Sequence, residues 1–277
     1  MMENSYKGYP DPSLVLSVEE ARDLLKSKDV IFVDTRNYWK YAKGHIPGAF
    51  NLELYAFHWA DTSREGVSLF ARQMSKLVSS IGITSKSSVI FYQNNSGYDA
   101  ARGVWLLHFL GHRKSMLLDG GFNLWKKRKY PLSTLDPIAP RESRFRSRID
   151  SNFLATMDTL SKSLRNEERI QIIDSRSSGE YKGKYKRAKK FGHIPGSLNV
   201  EWKQNLRRDG TLKSARELQK LYRVVKKDKE TITYCQSGYR AAHSWLVLRL
   251  LGFEKVKNYL GSWYEWGNEA STRVVRR

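Results

Sequence analysis

One loop of the chain combines a nucleophilic residue type with an anion-binding pattern. Cys235, the only cysteine, follows an apolar run at 231–234 and precedes a short loop: Gln236, Ser237, Gly238, Tyr239 and Arg240. Helical spacing begins directly after this loop. A helix N-terminus offers unpaired N–H groups and partial positive charge, which favour a thiolate. Gly238 lets backbone N–H groups converge on one point, and Arg240 adds a planar cation. The pattern predicts covalent catalysis by Cys235 on an anionic substrate.

The two halves of the chain repeat each other. Four blocks recur in the same order, offset by 140 to 148 residues: 30–41 with 169–181, 44–53 with 192–201, 96–111 with 237–252, and 120–125 with 261–266. A repeat of this length is a whole domain rather than a solenoid unit. The segment 131–140 contains three prolines and runs into a basic stretch, which is typical of a linker. We predict a first domain at 1–135, a linker at 136–148 and a second domain at 149–277.

The two copies of the loop differ at the residues that carry the chemistry. Taken alone, Cys235 could equally be a small buried apolar residue, as most free cysteines are. The first copy has no thiol, however, and Asp99 stands where the second copy has Arg240. An anion-binding loop loses function on both counts. We therefore predict that the second domain is catalytic and the first is inactive.

The second copy also carries a basic insertion. Eight extra residues precede its GHIPG motif, within 182–190. Charged runs are most often solvated surface loops. Because this one lies beside a motif loop, a role in binding a substrate or partner stays open.

Strand and helix signals alternate along the chain. Runs of β-branched and aromatic residues predict buried strands at 30–33, 88–92, 170–173 and 231–234. Apolar spacing predicts helices over 100–110 and 241–251, and Ser17 with Glu20 forms a capping-box pattern at another helix start. This alternation favours an open, mainly parallel sheet with helices on both faces. The predicted fold class is α/β, with two such domains in tandem.

These motifs together resemble the rhodanese family, in particular its tandem-domain thiosulfate and 3-mercaptopyruvate sulfurtransferases. The resemblance rests on Asp-Thr/Ser-Arg at strand ends, GHIPG in both halves, the 235–240 loop and the closing G-x-x-x-x-W segments. It implies two rhodanese-like domains, of which the second is active. It also implies that Cys235 takes a sulfane sulfur from a donor as a persulfide, held by loop N–H groups, and passes it to cyanide or a thiol. No cofactor and no metal are expected.

The predicted site extends beyond the nucleophile. We expect the five residues after Cys235 to bind the substrate: Gln236, Ser237, Gly238, Tyr239 and Arg240. Asp174 and Arg176 recur in the inactive copy, so we expect an ion pair that supports the loop.

Three further side chains lie near the motifs, and we expect none of them to take part in the chemical step. We expect His243, on the helix after the loop, to point away from it and not to act as a base. Trp263 and Trp266 are candidate walls of the cleft.

Composition limits the partners and the location. Of 277 residues, 49 are Lys or Arg and 28 are Asp or Glu, which gives a net charge of +21 and a pI near 10.0. This surplus favours a small anionic sulfur donor. A single cysteine excludes an intramolecular disulfide framework and any structural zinc site that needs two or more cysteine ligands. We see no secretory signal and no membrane-spanning run, so we expect a cytoplasmic protein without a membrane partner. Its oligomeric state is left open.

Several functions compete. We predict transfer of sulfur from thiosulfate to cyanide or a thiol, with a 3-mercaptopyruvate sulfurtransferase and a sulfur-relay or RNA-associated binding protein as alternatives. Glu180 stands where several animal members of the resembled family place a substrate-binding arginine, which disfavours 3-mercaptopyruvate. Only four residues separate Cys235 from Arg240, fewer than a cysteine phosphatase needs around a phosphate. Basic stripes interleaved with aromatic residues are not evident, so we do not expect nucleic acid as a partner.

Overall fold

Two α/β domains with the same topology make up residues 6–139, 143–166 and 170–276, which are the residues that the computed structural model describes. The outer ends of the two predicted domains, at 1–5 and 277, lie outside the described residues. So does part of the predicted linker, at 140–142.

The first domain has one parallel sheet. Its strands are β1 (Val15–Leu16), β2 (Val30–Asp34), β3 (Phe50–Asn51), β4 (Ser88–Tyr92) and β5 (Ser115–Leu118), in the order β1-β5-β4-β2-β3. Its helices are α1 (Val18–Asp23), α2 (Tyr38–Ala42), α3 (Arg64–Ser80), α4 (Tyr98–Phe109) and α5 (Gly121–Lys127). The predicted capping box is present at α1, where the Ser17 N–H donates to Glu20 at 2.9 Å.

Helices cover both faces of this sheet. Val89 and Phe91 of β4 point into a hydrophobic cluster that includes side chains of α3 and α4. Ile90 and Tyr92 point the other way, into a cluster with α1 and α5. A strand buried on both faces reads as a continuous apolar run, which is the pattern that the sequence shows here.

The second domain repeats this arrangement. Its strands are β6 (Leu154–Ala155), β7 (Gln171–Asp174), β8 (Leu198–Asn199), β9 (Thr231–Tyr234) and β10 (Val256–Tyr259), in the order β6-β10-β9-β7-β8 and all parallel. Its helices are α6 (Met157–Arg165), α7 (Ser178–Tyr181), α8 (Ala215–Leu221), α9 (Tyr239–Leu250) and α10 (Ser262–Trp266). The predicted tandem α/β fold is confirmed.

The domains pack together through α4 and α9. Both helices are buried over most of their surface, and a single hydrophobic cluster contains side chains of both, including Trp105 and Trp245. The carboxyl ends of β4 and β9 therefore face the same region between the domains. In open α/β sheets this edge is where ligands bind.

The segment between the domains is partly packed. Phe145 is buried, and its N–H donates to the Ser79 hydroxyl of α3 at 3.0 Å. The domain boundaries at residues 135 and 149 stay a prediction.

Among the described residues, no helix combines the length and apolar character needed to cross a membrane.

Candidate functional site

The 235–240 loop is anchored to the start of α10. The Cys235 N–H donates to the Ser262 hydroxyl at 3.2 Å, and the Cys235 carbonyl accepts from the Trp263 N–H at 2.9 Å. The next carbonyl, of Gln236, accepts from the Tyr264 N–H at 2.9 Å. These bonds fix the backbone on both sides of the thiol.

Gly238 gives the loop its turn. Its φ is 79°, in the left-handed region that favours glycine, and its carbonyl accepts from the Asn258 side chain at 3.0 Å. A Cβ at this position would lie 2.8 Å from the Leu260 carbonyl oxygen. The turn therefore requires glycine on two grounds.

The backbone N–H groups that follow the thiol are unoccupied. Within the described parts of the chain, the N–H groups of residues 236–240 donate to no protein acceptor. They precede or begin α9, whose N-terminus carries partial positive charge. A run of free N–H groups around a glycine turn is an anion-binding nest.

Cys235 lies at the base of a cavity of about 340 Å³ between the domains. Only 1% of the surface of Cys235 is exposed to solvent. Four of the five predicted binding residues line this cavity; Gly238 is buried beneath it. The other lining residues are Tyr55, Tyr98, Glu180, Arg187, Trp202 and Lys203.

Arg240 is held by a carboxylate. Its Nη1 and Nη2 donate to Glu180 Oε2 and Oε1 at 2.8 and 3.0 Å, a bidentate ion pair at the cavity wall. Burial alone would raise the pKa of Glu180, but Arg240 and the Ser177 hydroxyl hold it at about 2. Glu180 is therefore ionised and offsets the charge of Arg240 instead of repelling ligands as a lone anion.

The other loop side chains have distinct orientations. Gln236 donates from Nε2 to the Arg187 carbonyl at 3.1 Å, and its buried Oε1 has no partner among the described residues. The Tyr239 hydroxyl donates to the Leu54 carbonyl of the first domain at 2.6 Å, so it is not directed at a ligand. Ser237 lines the cavity and is half-buried.

The predicted Asp174–Arg176 ion pair is present and completely buried. Arg176 Nη2 donates to Asp174 Oδ2 at 2.6 Å and to the Gly192 carbonyl at 2.7 Å. The hydroxyl of Tyr234, the residue before Cys235, donates to the same Asp174 oxygen at 2.6 Å. This network ties the ends of β7 and β9 to the GHIPG turn. We interpret it as support for the loop.

Two expectations about neighbouring side chains have different outcomes. His243 points away from the loop, as predicted: its Nε2 lies 2.8 Å from the Ser96 carbonyl, and burial lowers its pKa to about 4. The expectation for Trp263 and Trp266 is wrong, because both are buried in the hydrophobic cluster of the second domain. Trp202 stands at the cavity wall instead.

Sequence reasoning missed the contribution of the first domain to the cavity. Tyr55 and Tyr98 reach the cavity because α4 and α9 pack together, and Tyr98 meets Trp202 edge-on at 4.9 Å. Tyr98 lies within the repeated block 96–111, and Tyr55 follows the repeated block 44–53. These positions were the only signal in the sequence that could have indicated their role. Arg187 lies in the basic insertion and also lines the cavity, so part of the insertion borders the site.

The sequence matches the Rhodanese-like domain family over residues 17–128 and again over 156–269. The chain belongs to the rhodanese family. A relative from Mycobacterium tuberculosis (strain ATCC 25618 / H37Rv), named "Putative thiosulfate sulfurtransferase", is 37% identical over 92% of this chain and 95% of its own length. The sulfur carrier protein TtuD of Thermus thermophilus is 32% identical over 97% of this chain and 99% of its own. These relatives identify this rhodanese as a sulfurtransferase-type protein.

Solved structures share the fold. The anaerobic ergothioneine biosynthesis enzyme from Chlorobium limicola, in complex with trimethyl histidine, superposes with a TM-score of 0.82 at 21% identity, over 95% of this chain and 70% of that one. Wild-type EanB gives a TM-score of 0.83 at 22% identity, over 95% and 69%. At this identity the likeness shows the fold alone.

Proposed function

We propose that this rhodanese transfers sulfane sulfur from thiosulfate to cyanide or a thiol through a persulfide on Cys235. The observation that carries the proposal is the run of unoccupied N–H groups at 236–240 around the thiol at the base of the cavity between the domains. Such donors stabilise a negative charge that stays on the sulfur throughout the cycle.

The bonds that form and break involve only the Cys235 sulfur and the two substrates. The Cys235 thiolate attacks the outer sulfur of thiosulfate, and the S–S bond of the donor breaks with its electron pair leaving on sulfite. The persulfide anion then lies among the loop N–H groups. Cyanide or a thiolate attacks its terminal sulfur, which leaves as thiocyanate or a new persulfide and restores the Cys235 thiolate.

The charges around the cavity support a dianionic donor. Arg187 and Lys203 line the cavity, and neither has an ion-pair partner among the residues that the structure describes. Arg240 is already offset by Glu180. Two unpaired cations suit the two charges of thiosulfate better than the single carboxylate of 3-mercaptopyruvate. Because part of this attraction is exposed to solvent, donor affinity should fall with rising ionic strength.

Steady-state transfer from thiosulfate to cyanide tests the proposal. We expect Cys235→Ser to abolish transfer while the protein stays folded, because the exchange is nearly isosteric. We also expect kcat/KM to be higher for thiosulfate than for 3-mercaptopyruvate. Retained turnover in Cys235→Ser would contradict the nucleophile, and a preference for 3-mercaptopyruvate would contradict the donor.

Glu180 offers a sharper test of donor electrostatics. Glu180→Gln leaves Arg240 without a counter-charge, so we expect KM for thiosulfate to fall about three-fold or more at low salt. Glu217→Gln is the matched control, since Glu217 also caps a helix start and pairs with an arginine, Arg207. An unchanged or raised KM in Glu180→Gln alone would contradict the assignment of an anionic donor.

Sulfur relay is the second candidate, favoured by the likeness to the sulfur carrier protein TtuD. Since Cys235 is buried at the base of the cavity, a protein acceptor would have to insert a thiol-bearing side chain or tail. Faster sulfur transfer to a protein thiol than to cyanide or small thiols would favour this function over the first.

A further inference from the structure

A buried arginine of the first domain lies directly beneath the Cys235 loop. Arg102, on α4, is 2% exposed, and its Nη1 has no hydrogen-bond partner within the described parts of the chain. That nitrogen would lie 3.3 Å from a Cβ built on Gly238. The guanidinium therefore sits against the turn that forms the anion nest, and it is not among the residues that line the cavity.

The surroundings of Arg102 leave its charge without a counter-ion. Its guanidinium carbon lies 4.2, 5.0 and 5.5 Å from the ring centres of Trp105, Tyr239 and Phe70. Aromatic faces attract a cation, but an unpaired buried charge is still strongly unfavourable. Burial lowers the pKa of Arg102 to about 10, which keeps it protonated at neutral pH. No carboxylate among the described residues forms an ion pair with it.

A bound small anion does not explain this charge. The space among Arg102, Phe70 and Tyr239 has no volume for a water-sized molecule. Any counter-charge must therefore come from the protein. In the proposed function, the group of this loop that carries a negative charge is the sulfur of Cys235.

We propose that Arg102 is a positioning residue that supplies the buried counter-charge for the sulfur anion on Cys235. This inference rests on the proposed function. The thiolate and the persulfide each carry one negative charge, so one fixed cation suits both. The loop N–H groups would hold the anion directly, and the guanidinium would act on it through the buried turn at Gly238. The domain without a thiol thereby contributes to the chemistry of its neighbour.

Alkylation of Cys235 by iodoacetamide tests this inference without any sulfur donor. In mildly acidic buffer we expect Arg102→Met to slow alkylation at least about five-fold, because the buried cation that stabilises the sulfur anion is lost, and Arg102→Lys to restore most of the rate. Arg249→Met is the matched control: Arg249 is a half-buried arginine near the far end of α9, bonded to the carbonyls of Phe253 and Glu254. Its rate should stay within about two-fold of wild type.

The lysine rescue separates charge from packing. A structural role would make Arg102→Lys and Arg102→Met equally slow, or leave both at the wild-type rate, and either result would overturn the inference. If wild type is alkylated as expected but gains no sulfur from thiosulfate, the proposed function fails and the role of Arg102 still stands.

A second measurement keeps Arg102 in place, in case its variants do not fold. Cys235→Ser removes the anion and leaves the cation uncompensated. We expect the melting temperature of wild type to exceed that of Cys235→Ser in alkaline buffer, because only the cysteine can supply a negative charge to offset Arg102. Identical melting temperatures across the pH range would overturn the inference.

Discussion

The loops after β4 and β9 occupy equivalent places in the two domains, yet they use their side chains and N–H groups differently. Gln93 stands where the second domain has Cys235, since its carbonyl accepts from the Phe122 N–H at 2.8 Å as the Cys235 carbonyl accepts from the Trp263 N–H. In the first loop, however, the Gln93 side chain folds inward. Its Nε2 donates to Asp99 Oδ2 at 2.8 Å, and its Oε1 accepts from the Asp99 N–H at 3.3 Å.

Two N–H groups in the middle of the first loop are occupied within the protein. The Gly97 N–H donates to the Asn95 carbonyl at 2.7 Å, and the Ser96 N–H donates to the Gly210 carbonyl of the second domain at 3.0 Å. A Cβ on Gly97 would lie 2.0 Å from Gln93 Oε1, which shows how completely that side chain fills the loop. We therefore propose that catalytic competence depends on free N–H groups around the residue at position 235 as well as on the thiol itself.

The framework around both loops is the same. Asp34 and Arg36 repeat the buried ion pair of Asp174 and Arg176, with the Arg36 side chain donating to the Gly44 carbonyl at 2.7 Å. The histidine of each GHIPG motif stacks on a tyrosine, with the two ring centres 3.8 Å apart in the first domain and 3.7 Å apart in the second. Because these features persist where no thiol is present, they serve the fold rather than the reaction.

Moving the thiol from the second loop to the first should have the largest effect on activity. In the double variant Cys235→Ser, Gln93→Cys, we expect sulfur transfer to fall at least about a thousand-fold, because the first loop uses its Ser96 and Gly97 N–H groups within the protein and carries Asp99 in place of an arginine. Gln93→Cys alone should transfer sulfur at close to the wild-type rate, measured with thiosulfate and cyanide. Substantial transfer by the double variant would mean that the thiol alone decides competence.

Closing the second nest should have the next largest effect. Gly238→Ala forces a side chain into the left-handed region and against the Leu260 carbonyl, so we expect kcat/KM to fall about ten-fold or more. Gly196→Ala is the matched control, because Gly196 has a φ of 73° and open space around its Cβ. It should lose about 1 kcal/mol of stability and little activity. Equal loss of activity in both variants would contradict the role of the nest.

The smallest effect on activity is expected at Asp99. Burial, together with the nearby Glu53, raises the pKa of Asp99 to about 7. The folded protein then keeps a proton that the unfolded chain loses near pH 4, so this carboxyl lowers the stability of the fold progressively as pH rises from about 4 to about 7. Asp99→Asn should remove that loss, raising the free energy of unfolding above pH 7 by up to about 3 kcal/mol with activity unchanged. Denaturant unfolding at several pH values measures this, and an unaltered pH profile would contradict it.

The local parts of the fold and site follow from the sequence because each is encoded within a few residues. The central strands, the helices that became α4 and α9, the capping box at Ser17 and the Cys235 loop all carry their own signals. The edge strands β1, β3, β6 and β8 are only two residues long, too short to show a period. Their pairing depends on the neighbouring strand rather than on their own residues.

The parts that could not be predicted arise from packing between domains. Tyr55 and Tyr98 reach the cavity, and Arg102 reaches the underside of Gly238, only because α4 packs on α9. In the sequence, Arg102 is one polar residue at the start of an apolar helix, with no sign that it lacks a partner. The prediction for Trp263 and Trp266 failed because aromatic residues close to a site in the sequence can belong to the hydrophobic core instead.

The most direct test of the central claim is the intact mass of the protein after incubation with thiosulfate and removal of small molecules. We predict a gain of one sulfur atom per chain, matched by one equivalent of sulfite released and reversed by cyanide as thiocyanate forms. Cys235→Ser should show no gain under the same conditions. An unchanged mass in wild type, or the same gain in Cys235→Ser, would contradict persulfide formation on Cys235.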